Sequence, residues 1–147
     1  MKLPLGYRYA STYAGIRKDK RDDLALIVSD VPATAAGMFT TNLVQAAPVR
    51  LCRRHLEASR GRARAILVNA GNANCATRTA MRVAVECCRA AAGRLKIPVN
   101  QVLPASTGVI GVDLNPKLIT QALPKLVKGL DAARFHEASR AIMTTDR

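Results

Sequence analysis

Ala65-Ile66-Leu67-Val68-Asn69-Ala70-Gly71-Asn72-Ala73-Asn74, residues 65–74, is the stretch on which the fold reading turns. Its first four residues are the clearest strand signal in the chain, a short apolar run of the kind that fills a sheet interior. The run leads directly into a segment where small residues alternate with amides. Asn and Gly both tolerate left-handed backbone, so a strand-to-helix turn is one reading. The other is close approach of backbone to a second group, with each Asn offering a donor and an acceptor. Thr77 to Lys96 then reads as an Ala-rich helix. Ala80, Ala84, Cys87, Ala91 and Leu95 share one face, and small residues there permit close approach to a sheet. Gly93 weakens the last turn, and Pro98 lies just past the end.

The same alternation extends outward. Gln101-Val102-Leu103 reads as a strand entering a Ser/Thr/Gly turn at Ser106-Thr107-Gly108-Val109-Ile110-Gly111. Upstream, Leu24 to Ser29, bounded by Asp23 and Asp30, reads as a buried strand. Met38-Phe39-Thr40 is a candidate for a second short strand, after the punctuation of Pro32 and Gly37. Pro48 to Leu56 has helical spacing at Val49, Cys52 and Leu56, with Arg53, Arg54 and His55 expected to face water. Asn115 then Pro116 is an N-cap followed by a first-turn proline. Leu118, Ile119, Ala122, Leu126 and Leu130 continue that helix, which Pro124 must kink or divide. Asp131 is placed to cap a last helix carrying Phe135, Ala138 and Ile142 on one face. Strands alternating with helices make the class α/β (α+β), a sheet packed against helices. One domain over residues 1–147 is the simplest organisation.

The chain has 147 residues, enough to bury roughly 68–70% of its extended surface. Aromatics are only 3% and Trp is absent, so Ala, Val, Leu and Ile must build the core. The net charge of +13 favours an anionic partner. The basic residues are scattered, apart from Arg50, Arg53, Arg54, Arg60, Arg62 and Arg64. Few aromatics exist to stack on bases, and no zinc-finger, RNA-recognition or helix-turn-helix signature is present. An Arg-rich solvated surface, without nucleic acid, accounts for the charge. Cys52, Cys75, Cys87 and Cys88 form no C-x-x-C pair and no zinc spacing, and are expected as reduced thiols in a cytoplasmic protein. No run approaches the ~20 apolar residues of a membrane span. The N-terminus lacks the apolar core of a secretory signal, while the absence of any acid before Asp19 leaves a transit peptide open.

Three segments can carry chemistry. At Thr107-Gly108, a hydroxyl beside a Gly N–H can supply two donors to one point, as an oxyanion hole requires; the alternative is a Ser/Thr-Gly turn. At Met143-Thr144-Thr145-Asp146, the hydroxyls can bind a carboxylate; the alternative is a polar helix end. Asn69 to Asn74 is the third. No Ser-His-Asp set, Walker sequence, G-x-G-x-x-G or metal-loop spacing is readable.

Taken together, these segments resemble the bifunctional ornithine acetyltransferase/N-acetylglutamate synthase family of arginine biosynthesis. Ala14-Gly15-Ile16 with Asp23-Leu24-Ala25-Leu26, then Pro32-Ala33, Ala36 to Asn42 and Ala46-Ala47-Pro48-Val49, match the family in order and spacing. The resemblance runs from about Gly6 to Asp146. It implies the N-terminal, α-chain part of a DmpA/ornithine-acetyltransferase-like αββα sandwich. It also implies a longer precursor that cuts itself before an internal Thr. The freed Thr is the nucleophile, its own amine serving as base. Acetyl passes from N-acetylornithine to glutamate by a ping-pong route, with acetyl-CoA as an additional donor in some members and no metal or other cofactor.

By position, the resemblance assigns Thr107 and Gly108 to the oxyanion hole and Thr144 or Thr145 to substrate binding. It places Asn69 to Asn74 near the active site without a catalytic role. Cys75-Ala76-Thr77-Arg78 departs from the usual Ala-Cys-Thr-Gly, so the turn there is expected to differ. The cleavage site and nucleophile lie beyond Arg147 in the family pattern. A β chain in an α2β2-type assembly is therefore the implied partner, and the chain alone is expected to be inactive. The competing readings are an inactive remnant or structural partner of that enzyme, and a nucleic-acid module resting on charge alone.

Overall fold

The computed structural model describes residues 2–144. Four strands, β1 (Tyr7–Thr12), β2 (Leu24–Thr34), β3 (Arg62–Asn72) and β4 (Val102–Val109), form one sheet in the order β1-β2-β3-β4. The helices are α1 (Ala47–Ala58), α2 (Ala80–Leu95), α3 (Pro116–Lys128) and α4 (Phe135–Ile142), with a single 3-10 turn at Val99–Gln101. β1 and β3 each pair antiparallel with β2, while β3 and β4 pair in parallel through the α2 crossover. The β2–β3 register breaks between Val28 and Ala33. Pro32, which has no N–H to give a ladder, falls inside that break.

Alternation along the strands sorts side chains to two faces. Ala10, Leu24, Leu26, Val28, Ala65, Leu67 and Val102 form the main core with residues of α1, α2 and α3. Tyr9, Ala25 and Val68 point the other way, into a smaller cluster with Ala138 and Ala141 of α4. Phe135 meets Tyr9 edge-on, with ring centroids 5.3 Å apart. The α2 face read from the sequence is the buried one: Ala80, Ala84, Cys87 and Ala91 all lie in the core.

Several expectations are corrected. β3 does not stop at Val68 but runs to Asn72, and β4 runs through Ser106, Thr107 and Gly108 to Val109, so both supposed turns are strand. Each strand supplies the other's backbone partners. α2 begins at Ala80 rather than Thr77, after a loop in which Asn74 and Ala76 have positive φ. Met38-Phe39-Thr40 is not a strand: Met38 is fully exposed, and Phe39 is spent under the Arg53 guanidinium, 5.3 Å from the ring centroid. Pro124 leaves α3 undivided, and Asn115 caps that helix by accepting from Lys117 N. Asp131 does not cap α4. Arg134 is the N-cap residue, while the Asp131 side chain accepts from Ala133 N and its backbone bridges to Tyr9. Ile142 is exposed, and Ala141 takes its place in the packing.

Candidate active site at the ends of β3 and β4

The parallel pair β3–β4 brings the two motifs into register, Asn69 opposite Ser106, Ala70 opposite Thr107 and Gly71 opposite Gly108. The contact is closest at the glycines. Gly108 has φ +131°, and a Cβ there would fall 2.3 Å from Gly71 C and 2.6 Å from Asn72 N. Only glycine fits this approach.

The asparagines are scaffolding. All three are buried. Asn69 accepts from Ser106 Oγ (2.6 Å) and donates to Asn72 O (2.8 Å). Asn72 donates to Val112 O (3.0 Å) and accepts from Asn74 N (2.7 Å), while Asn74 donates to Ala80 O (3.0 Å). These bonds tie the loop after β4 to the loop before α2, and leave Asn74 Oδ1 buried without a partner among the described residues.

β4 is an edge strand, and its alternation determines what the edge offers. Val109 O accepts from Ala73 N (2.9 Å), so Val109 turns inward to the β3 side. Val102 O and Pro104 O turn outward, accepting from His55 Nδ1 (2.7 Å) and Cys52 Sγ (3.1 Å) of α1. His55 is therefore half-buried rather than facing water. The outward slot at residue 104 is held by proline, which has no donor to leave unpaired. By the same alternation, the N–H groups of Ser106 and Gly108 face the outer edge beyond the reach of α1. Thr107 is half-buried and Gly108 exposed, so a hydroxyl and a backbone N–H lie next to one another on a rigid strand.

Past the C-terminal ends of β3 and β4 is a cavity of about 710 Å³, lined by Arg17, Lys18, Asp19, Asn72, Asp113 and Asn115 together with aliphatic side chains; Thr107 and Gly108 do not line it. Thr144 borders a separate recess of about 470 Å³ at the end of α4, with Arg21, Asp22, Glu137 and Arg140. Thr145 and Asp146 lie outside the described residues. Among the described residues no three His, Cys, Asp or Glu side chains gather as metal ligands, and no helix is long and apolar enough to cross a membrane. All four cysteines are free thiols.

Sequence reading gave no role to Asp23, which is fully buried. Its carboxylate accepts three backbone N–H groups, from Ala14 (2.6 Å), Ile16 (2.7 Å) and Arg17 (2.8 Å), and so shapes the loop over Gly71. The one available signal was an acid placed directly before an apolar strand.

The family model described as the ArgJ family matches residues 8–147. The chain belongs to the ArgJ family. It is 50% identical to the arginine biosynthesis bifunctional protein ArgJ of Nitratidesulfovibrio vulgaris, over 97% of this chain and 36% of that protein. It is 45% identical to the ArgJ protein of Prochlorococcus marinus, over 99% of this chain and 34% of that protein. This ArgJ-family chain thus spans about a third of the length of the curated relatives it matches. Two solved structures share its fold. The ArgJ protein of Bacillus halodurans superposes with a TM-score of 0.90 at 34% identity, covering 97% of this chain and 74% of that one. The ornithine acetyltransferase of Mycobacterium tuberculosis, solved in complex with ornithine, gives 0.91 at 32% identity, covering 99% and 79%. The α+β class expected from the sequence is the one observed.

Proposed function

We propose that this ArgJ-family chain supplies the oxyanion-stabilising wall of an acetyl-transfer site in arginine biosynthesis, moving acetyl from N-acetylornithine to glutamate. The observation that carries the reading is Gly108, pressed against Gly71 and presenting its N–H at an open edge beside the Thr107 hydroxyl. Donors held this way need no reorganisation as charge develops.

In the proposed reaction a Thr nucleophile outside these 147 residues attacks the acetyl carbonyl. The carbonyl oxygen becomes an oxyanion that accepts from Thr107 and Gly108. The nucleophile's proton passes through its own amine to the departing ornithine nitrogen. Glutamate's amine then attacks the acetyl-enzyme, the oxyanion forms again in the same place, and the Thr oxygen leaves with a proton. Thr144 or Thr145 binds substrate. Acetyl-CoA serves as an alternative donor if the site is bifunctional, and no other cofactor enters. The partner is the β portion of the enzyme, in an α2β2-type assembly in the cytoplasm.

The test joins this chain in frame to the remainder of the Nitratidesulfovibrio vulgaris relative and assays N-acetylornithine with glutamate. Transfer by the joined protein, and none by the 147-residue chain, is the expected pair of results. A folded joined protein without activity would leave the chain as an inactive remnant. Activity of the short chain alone would show that the nucleophile lies within it.

A further inference from the structure

Arg17 sits where the two halves of the proposed site meet, and its surroundings are built rather than incidental. The buried Asp23 carboxylate takes the N–H groups of Ala14, Ile16 and Arg17, and so holds the backbone from which Arg17 projects. Tyr13 adds a hydroxyl donation to Arg17 O at 3.2 Å. Gly15, at φ +87°, makes the turn possible.

The Arg17 stem then lies over Gly71. A Cβ on Gly71 would meet Arg17 Cγ at 2.9 Å, so the stem packs against the same glycine that Gly108 presses. The Arg17 side chain is 11% exposed, and its guanidinium donates from Nη1 to Met143 O and from Nη2 to Asp19 Oδ2 at 3.2 Å. A hydrogen bond from Arg21 is the main influence holding the Asp19 carboxyl below its ordinary range, and Arg17 adds to it. The Met143 carbonyl belongs to the same planar peptide as the Thr144 nitrogen. A donor fixed on that oxygen therefore orients the unit from which Thr144 hangs.

The structure assigns to Arg17 a positioning role: it registers the Met143–Thr144 segment after α4 against the Gly71–Gly108 contact, and so sets the distance between Thr144, one of the two candidate substrate-binding threonines, and the proposed oxyanion donors. This rests on the acetyl-transfer reading above. Arg17 touches neither the acetyl carbon nor the nucleophile. It acts through Met143 O, and its two-pronged donor suits a carbonyl and a carboxylate held at once.

The experiment uses the joined protein with Arg17→Met and Arg17→Lys, measuring acetyl-transfer kinetics, thermal midpoint and amide exchange over residues 143–144. Arg17→Met is expected to raise KM for N-acetylornithine about tenfold, the equivalent of one charge-assisted hydrogen bond. kcat is expected to stay within about threefold, since no donor to the oxyanion is removed. Exchange at Met143 and Thr144 quickens. Arg17→Lys, which keeps one donor on Met143 O, recovers much of both effects. An unchanged KM, or losses that follow the thermal midpoint alone and are not rescued by lysine, would overturn the assignment. If the parent joined protein transfers no acetyl group, the acetyl-transfer reading fails and exchange decides the matter. Faster exchange in Arg17→Met, restored in Arg17→Lys, then supports the positioning role, and unaltered exchange sinks it.

Discussion

Gly108 and Gly71 meet backbone to backbone across the β3–β4 pair, with no room for a methyl group between them. An alanine at 108 would carry two penalties, a φ of +131° that L side chains rarely adopt and a Cβ inside the radius of Gly71 C and O. Gly108→Ala is expected to cost at least about 2 kcal/mol in urea unfolding. Gly71→Ala should cost less, because its Cβ meets the Arg17 side chain before any backbone atom. Equal losses from the two substitutions would show that strain, not the close approach, governs both sites.

Thr107 separates structure from chemistry. It is half-buried on an edge strand, and valine keeps its shape and β-branching while removing the hydroxyl. In the joined protein Thr107→Val should lower kcat on the order of 10²–10³-fold, the usual effect of losing one oxyanion donor. The thermal midpoint should barely move. A kcat within a few-fold of the parent would remove Thr107 from the proposed hole.

Asp23 binds three N–H groups with one carboxylate. In Asp23→Asn one carboxylate oxygen is replaced by an NH₂, which would face donors instead of accepting from them. The expected loss is about 2–3 kcal/mol, that of leaving buried donors unpaired beside a misplaced one. Limited proteolysis should then cut near residues 13–17. A variant as stable as the parent and resistant there would mean the loop has other support.

These three sites differ in how far the sequence reveals them. Local periodicity shows the strand at Ala65–Val68, the buried face of α2 and the Asn115–Pro116 helix start, because each signal lies within a few residues. The extents of β3 and β4 are hidden. Asn69–Asn72 and Ser106–Gly108 have turn-like composition, and become strand by pairing with one another across a separation of 37 residues. His55 looks like a surface helical residue until Val102 O, 47 residues away, accepts a hydrogen bond from its Nδ1. Asp23 reads as a strand boundary because its partners are backbone N–H groups, which no side-chain pattern announces. The proposed oxyanion pair, Thr107 and Gly108, is open to two readings from its residues, a donor pair or a Ser/Thr-Gly turn, and family resemblance is what favours the first.

Gly93 lies in the exposed last turns of α2, and a Cβ there would meet nothing within 4 Å. Its backbone is helical, so alanine fits without strain while reducing the freedom of the unfolded chain. Gly93→Ala is expected to add about 0.5–1 kcal/mol, read as a higher urea midpoint with an unchanged slope. A lower midpoint would indicate that this surface packs against something that alanine disturbs.

The cysteines give a pH prediction with a defined sign. Burial pushes the Cys52 thiol up to about 11. Burial, then the nearby Glu86, pushes Cys87 up to about 12. Cys88 moves in the same direction, first by burial and then by Cys87 and Cys52. A thiol that keeps its proton to higher pH in the folded chain than its ordinary value of 9.0 favours folding while protonated. That contribution is complete below pH 9 and fades as pH climbs through 11 to 12. Thermal midpoints should therefore fall over this range, and fall less steeply in Cys87→Ala. At pH 8 an aromatic disulfide reagent should titrate Cys75 first, because Cys87 and Cys88 are buried and Cys52 is engaged with Pro104 O. Rapid modification of Cys87 or Cys88 in the native chain would mean that α2 lifts from the sheet. The tight β3–α2–β4 unit that holds Gly108 against Gly71 would then be a transient arrangement rather than a rigid one.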